Sequence, residues 1–189
     1  MKKNSTNHLN IRFEQMEKHY IEIPRFRKLL NYDKLIEKVA QRDEIIQLVE
    51  NLKCGLSENE LGNTVEKILN TVDEDDFDLL IIAGHKFTYP NTVQLLKNVG
   101  YPKNKKALPS LILLLQDLNW PGAFDGMNVL KEADTSILMP MLELAITEAF
   151  SSNDFIWLGG IKHFLEFAHI NKTHFIDSTV YKLLEYADY

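Results

Sequence analysis

The residues that could do chemistry are few, and the most suggestive lie in "LILLLQDLNWPGAF", residues 111–124. An apolar run ends there in Gln116-Asp117, and an Asn119-Trp120-Pro121 corner follows directly. A carboxylate in such an apolar setting could act as a general acid or base if a pocket enclosed it. It could equally be the group that ties a corner together. Asp117 at a helix C-terminus is unfavourable for the helix dipole, so local partners are expected. Its carboxylate is predicted to accept from the Asn119–Trp120 backbone or from the Trp120 indole. Asn119 is predicted to cap the next helix, with Pro121 in the first turn, where a missing N–H does no harm.

The other chemically competent residues do not assemble into a motif. Six histidines stand at positions 8, 19, 85, 163, 169 and 174. A helical zinc site wants two ligands at i and i+4 with an acid nearby. His163 and His169 are six apart and fall on different faces. No metal or other cofactor is therefore expected. The single Cys54 excludes an internal disulfide, and with no motif around it, it reads as a packed small residue. There is no Gly-x-Ser-x-Gly elbow, no phosphate-cradling Gly-x-x-x-x-Gly-Lys and no dinucleotide Gly-x-Gly-x-x-Gly. No residue is assigned a catalytic role. His85-Lys86 reads as a helix C-terminal turn, where cations favour the dipole.

Charge points to partners. Residues 1–53 hold 11 Lys/Arg against 8 Asp/Glu, a balance of +3. Residues 54–189 hold 10 against 19, a balance of −9, and the whole chain carries −6. All four arginines (Arg12, Arg25, Arg27, Arg42) precede the acidic part, which thus lacks a guanidinium fork for phosphate. Nucleic acid is not expected there, because phosphate neutralisation supplies most of such binding. A basic protein partner suits the surface better. The densest acid run is "DEDDFD", with Asp73, Glu74, Asp75, Asp76 and Asp78. It reads as a helix N-terminus, where carboxylates complement the dipole, or as a partner-facing patch. It lacks the turn glycine and closing Glu of a calcium loop.

The elements that must position these groups are helical. Ile36, Val39, Ala40, then Ile45, Ile46, Leu48, Val49 and Leu52 recur at a spacing of three to four. Gly55 is free to take the left-handed conformation that stops a helix. Ser57 and Glu60 form the pattern of a capping box, predicting a helix to about Val72. "DLLIIAG" is read as helix, since no strand–turn alternation surrounds it. Tyr89-Pro90 and Trp120-Pro121 are 31 residues apart, as are Leu108-Pro109 and Met139-Pro140. Each 31-residue unit then reads as two helices, the first led by aromatic-Pro and the second by apolar-Pro. A third unit follows, with Asn153/Asp154 capping one helix and Asn171/Thr173 the next. "ALPSLILLL" is apolar nearly all round, which suits a helix sandwiched between stacked units. Gly159-Gly160 predicts a close helix approach or a break. Tyr89, Tyr101, Trp120 and Trp157 are expected to pack at junctions between units.

Residues 85–121 also carry a resemblance. "HKFTYPNTVQLLKNVGYP" followed by "ALPSLILLLQDLNWPGA" resembles a bacterial family known only as a domain of unknown function. Its pattern is matched at His85, Lys86, Gly100, Tyr101, Pro102, Leu108, Pro109, Gln116, Asp117, Asn119, Trp120 and Pro121. The resemblance covers roughly residues 85–160 and leaves the N-terminal third unmatched. It implies HEAT-like helical repeats and a place among immunity proteins of bacterial toxin systems, and brings no catalytic residues with it.

The expected protein is therefore all-α: stacked antiparallel helix pairs in a HEAT-like α-solenoid, with an N-terminal helical extension. Residues 1–55 form the N-terminal helical segment and residues 56–189 the repeat domain. Met1-Lys2-Lys3 leads into Asn-Ser-Thr-Asn-His rather than an apolar run, and no run nears ~18 apolar residues. A cytoplasmic protein without a membrane span or signal peptide is expected. The function expected is non-enzymatic binding of a basic protein, in the manner of a toxin-neutralising immunity protein. The alternatives are a small-molecule binder or enzyme at the Asp117–Trp120 corner, and a dimeric regulatory scaffold.

Overall fold

The computed structural model describes residues 43–188. Residues 1–42, with all four arginines, lie outside the described residues, as does the expected periodicity at Ile36–Ala40. Nine α-helices and no strand occur among the described residues, so the fold is all-α. They are α1 (Asp43–Glu50), α2 (Glu58–Thr71), α3 (Asp78–Ile82), α4 (Tyr89–Val99), α5 (Leu108–Leu113), α6 (Ala123–Lys131), α7 (Thr135–Ser151), α8 (Phe155–Phe167) and α9 (Ser178–Leu183). Short 3-10 turns extend or link them at Glu74–Asp76, Lys103–Ala107, Leu114–Gln116, Lys172–His174 and Leu184–Tyr186.

Local chemistry explains most boundaries. Ser57 accepts from Glu60 N–H at 3.4 Å, and the Glu60 carboxylate returns to Ser57 N–H at 2.9 Å. That reciprocal pair starts α2, and the helix ends before Val72, as the sequence predicts. Pro90 and Pro109 sit in the first turns of α4 and α5, where the absent N–H is harmless. Asp154 caps α8 by accepting from Trp157 N–H at 3.1 Å.

Four boundaries differ from the sequence reading. Although Gly55 is left-handed (φ 93°), α1 has already ended at Glu50. Trp120-Pro121 does not open a helix: left-handed Gly122 (φ 88°) precedes Ala123, where α6 begins. Met139-Pro140 lies inside α7, which starts at Thr135 because Asp134 accepts from Ser136 N–H at 2.8 Å. Asn171 caps only the 3-10 turn Lys172–His174, whereas α9 is capped by Asp177, which accepts from Thr179 N–H at 2.8 Å. At Trp120-Pro121 and Met139-Pro140 a glycine or a short polar side chain sets the start, and the proline merely tolerates its site.

Packing follows the chain closely. α3 lies against α4 and α5, α5 against α6, and α7 against α8 and α9. Helices one step further on also meet, α4 with α6 and α5 with α7. The segment "ALPSLILLL" is buried as its composition requires: Leu108, Leu111, Ile112 and Leu115 are inaccessible. α1 packs on α2 and α3, and Ile45, Leu48 and Val49 belong to the same core as Trp157 and Phe164. Residues 43–55 thus share one core with the rest.

The Gly159-Gly160 pair is a close approach, not a break. α8 runs through it without interruption. A Cβ on Gly160 would collide with the Leu115 carbonyl oxygen, and one on Gly159 with that of Asp188. Each glycine thus removes a side chain where another backbone must pass. Beside them Trp157 is fully buried, and its indole N–H donates to the Ile112 carbonyl at 3.2 Å, tying α8 to α5.

Candidate functional site

The corner at Gln116–Pro121 is held by its own acid. The 3-10 turn Leu114–Gln116 ends in extended Asp117. Asp117 Oδ1 accepts from the Asn119 backbone N–H at 2.8 Å and from the Asn119 side-chain amide at 3.0 Å. Trp120 N–H donates to the Asp117 carbonyl at 2.9 Å, and Ala123 N–H to the Trp120 carbonyl at 3.0 Å. The predicted role of Asp117 is met by Asn119. Asn119 itself is exposed and caps no helix, because its side chain is spent on Asp117. Trp120 is half-buried and lies 6.0 Å, ring to ring, from buried Tyr89. Gly122 then fits under Pro90, whose backbone nitrogen would be 3.1 Å from an added Cβ. The corner joins the start of α4 to the start of α6, while Gln116 and exposed Pro121 flank it.

His85 and Lys86 form a second, separate corner. Rather than closing α3, His85 starts α4: its carbonyl accepts from Thr88 N–H at 2.7 Å and Tyr89 N–H at 3.1 Å. The buried Thr88 hydroxyl lies 2.9 Å from both the amide and the carbonyl of His85, as acceptor for one and donor to the other. His85 Nδ1 accepts from Phe87 N–H at 3.2 Å, so a neutral ring keeps its proton on Nε2, which lies 3.8 Å from Glu50. The Lys86 ammonium sits 5.2 Å from the exposed Phe87 ring. Asn91 binds the Leu52 and Lys53 carbonyls at 2.9 and 3.2 Å, fixing this turn to the end of α1. An open concavity of about 410 Å³ lies alongside, lined by Glu50, Asn51, Lys53, Leu56, Glu60, Asn63 and Thr64.

The acid run divides. Asp73, Glu74 and Asp75 face solvent, Asp78 is half-buried, and Asp76 is only 3% exposed. Asp76 therefore presents no charge to a partner; the 3-10 turn Glu74–Asp76 rotates it inward beside buried Phe77. Asp75 pairs with Lys106 at 3.0 Å, on a turn that also exposes Lys103 and Lys105. The local surface is mixed in sign, and the outward patch narrows to Asp73, Glu74 and Asp75.

Carboxylates held below their ordinary range occur at helix starts. Hydrogen bonds from Ser57 lower Glu60, those from Ser136 lower Asp134, and those from Thr179 lower Asp177. Each is explained by capping. Among the described residues no group of three or more His, Cys, Asp or Glu is arranged to hold a metal. Cys54 is exposed rather than packed, since it sits in the turn after α1 with its amide donated to the Phe87 carbonyl.

Sequence reasoning missed two features. Phe124, aligned with buried Val93 in the 31-residue repeat, is 57% exposed and meets His163 edge-on at 6.2 Å. Glu143 of α7 accepts from the Ile176 and Asp177 backbone amides across more than thirty residues. Neither has a local signal, because each depends on which helices become neighbours. No helix among the described residues is long and apolar enough to cross a membrane. No protein-family model, no curated protein and no solved structure matches this chain.

Proposed function

We propose that this is a non-catalytic helical-repeat protein that binds a basic protein, in the manner of an immunity protein neutralising a toxin. The carrying observation is the balance of −9 over residues 54–189, with no arginine among them. Carboxylates at that density raise the encounter rate with a cationic surface and repel an anionic one. The corner supports the reading, because Asp117 Oδ1 is engaged by the Asn119 backbone and side-chain amides. Contacts between helices one step apart, α4 with α6 and α5 with α7, support a HEAT-like stack as its frame. The resemblance around Gln116–Pro121 supports the immunity class.

The test is capture from the native host, followed by titration of the purified partner at low and high salt. A basic protein whose affinity falls with salt, and whose toxicity is relieved by co-expression, supports the proposal. Recovery of small metabolites alone, or of an acidic partner bound independently of salt, refutes it.

A further inference from the structure

We propose that residues 171–188 form a strap that opens from α7 and α8 as one unit, with the Glu143 carboxylate as its latch. This goes beyond the binding reading and does not rest on it. The strap begins where α8 stops: His169 is left-handed (φ 57°), and Ile170 N–H closes back on the Leu165 carbonyl at 2.8 Å. The chain then turns through Lys172–His174 and returns along α7.

The latch spans the gap between the two parts. One Glu143 oxygen accepts from Ile176 N–H at 2.5 Å and the other from Asp177 N–H at 3.2 Å. Asp177 in turn accepts from the Thr179 amide and hydroxyl at 2.8 and 2.7 Å, which starts α9. The two carboxylates act in series, one fixing the turn and the other the helix. At the far end, Asp188 N–H donates to the Phe155 carbonyl at 3.0 Å, and the Asp188 carbonyl lies in the notch over Gly159. Tyr186 closes the middle, with Phe150 and Phe155 rings at 5.1 and 6.5 Å.

The apolar hold is shallow: Val180, Tyr181, Leu183 and Ala187 pack against the core but are only half-buried. Phe175 and Leu184 are the strap's buried side chains, at 8% and 5% exposure, while Ile176 and Tyr186 are 74% and 59% exposed. In α8 beneath, Trp157, Leu158, Ile161 and Phe164 are all at 0%. A segment with few buried apolar groups and exposed hydrogen bonds opens at lower free energy than the core. Opening uncovers the Gly159 notch and the Phe150 and Phe155 rings.

Hydrogen exchange of the full chain by mass spectrometry tests this. In the wild type, amides of Val180–Tyr186 are expected to exchange together, at least about tenfold faster than those of Ile161–Leu165. Glu143→Ala should accelerate the strap a further tenfold or so and leave α4 and α8 unchanged, and Glu143→Gln, keeping one acceptor, should fall between. Equal exchange in the strap and α8 of the wild type overturns the proposal without needing any variant to fold. So does a Glu143→Ala protein whose strap exchanges as in the wild type, or whose α8 accelerates equally.

Discussion

Gly160→Ala introduces one methyl group at the glycine where an added Cβ would come nearest to another backbone. Taken as an isolated helix substitution it would be favourable, because Ala exceeds Gly by about 1 kcal/mol in a helix interior. The added Cβ, however, meets the Leu115 carbonyl oxygen and would lie 2.9 Å from its carbon. Those are backbone atoms, so no rotamer change relieves the contact. α8 and the Leu114–Gln116 turn must separate, which for an overpacked interior typically costs about 1–3 kcal/mol. Separation also stretches the Trp157–Ile112 hydrogen bond, worth roughly another 1 kcal/mol. Net destabilisation of about 1–3 kcal/mol follows, or about 2–12 °C in midpoint for a domain of this size.

The internal control is Gly62→Ala in α2. Nothing lies within 4 Å of a Cβ at Gly62, and the residue is exposed. There the propensity gain stands alone, and the midpoint should rise by a few degrees at most, equivalent to about 0.5–1 kcal/mol. Differential scanning calorimetry of both variants reads the two signs directly. A Gly160→Ala protein at or above wild-type stability would refute the close approach and, with it, the packing of α8 on the Leu114–Gln116 turn.

Asp117→Ala should lower stability by about 1 kcal/mol, since the Asn119 amide loses its acceptor at a partly exposed site, as read by urea denaturation. Trp157→Phe removes a buried indole donor and part of a fully buried ring, so a loss of about 2 kcal/mol is expected in the same assay. Lowered Glu60, Asp134 and Asp177 give stability that is complete above the ordinary carboxylate range and is lost as pH falls through their depressed values. Thermal midpoints should therefore hold down to about pH 5 and fall below about pH 4. The gap between wild type and Asp134→Ala should narrow over that fall; a gap independent of pH would contradict the capping role.

Helices were legible where their signals were local. Ser57 and Glu60 announced α2, and Asp154 announced α8, because a cap needs only residues three apart. The glycine pair announced a close approach, though not what approached. Prolines misled at Trp120-Pro121 and Met139-Pro140, since proline tolerates a first turn but does not create one. The same 31-residue spacing therefore places one apolar-proline pair at the start of short α5 and the other inside long α7. At the sites, Asp117 was readable because its partner is two residues away. Burial of Asp76, exposure of Phe124 and the reach of Glu143 depend on neighbours brought by the fold, which no local pattern encodes.

On the proposed function, the acidic surface and not the Asp117 corner does the binding. Calorimetric titration of the captured partner against wild type and Asp117→Ala, at low and high salt, tests it most directly. Affinity that falls with salt and is equal for the two proteins, with only the melting temperature of Asp117→Ala lowered, is the predicted result. Affinity insensitive to salt and abolished in Asp117→Ala at unchanged melting temperature would contradict binding through the acidic surface.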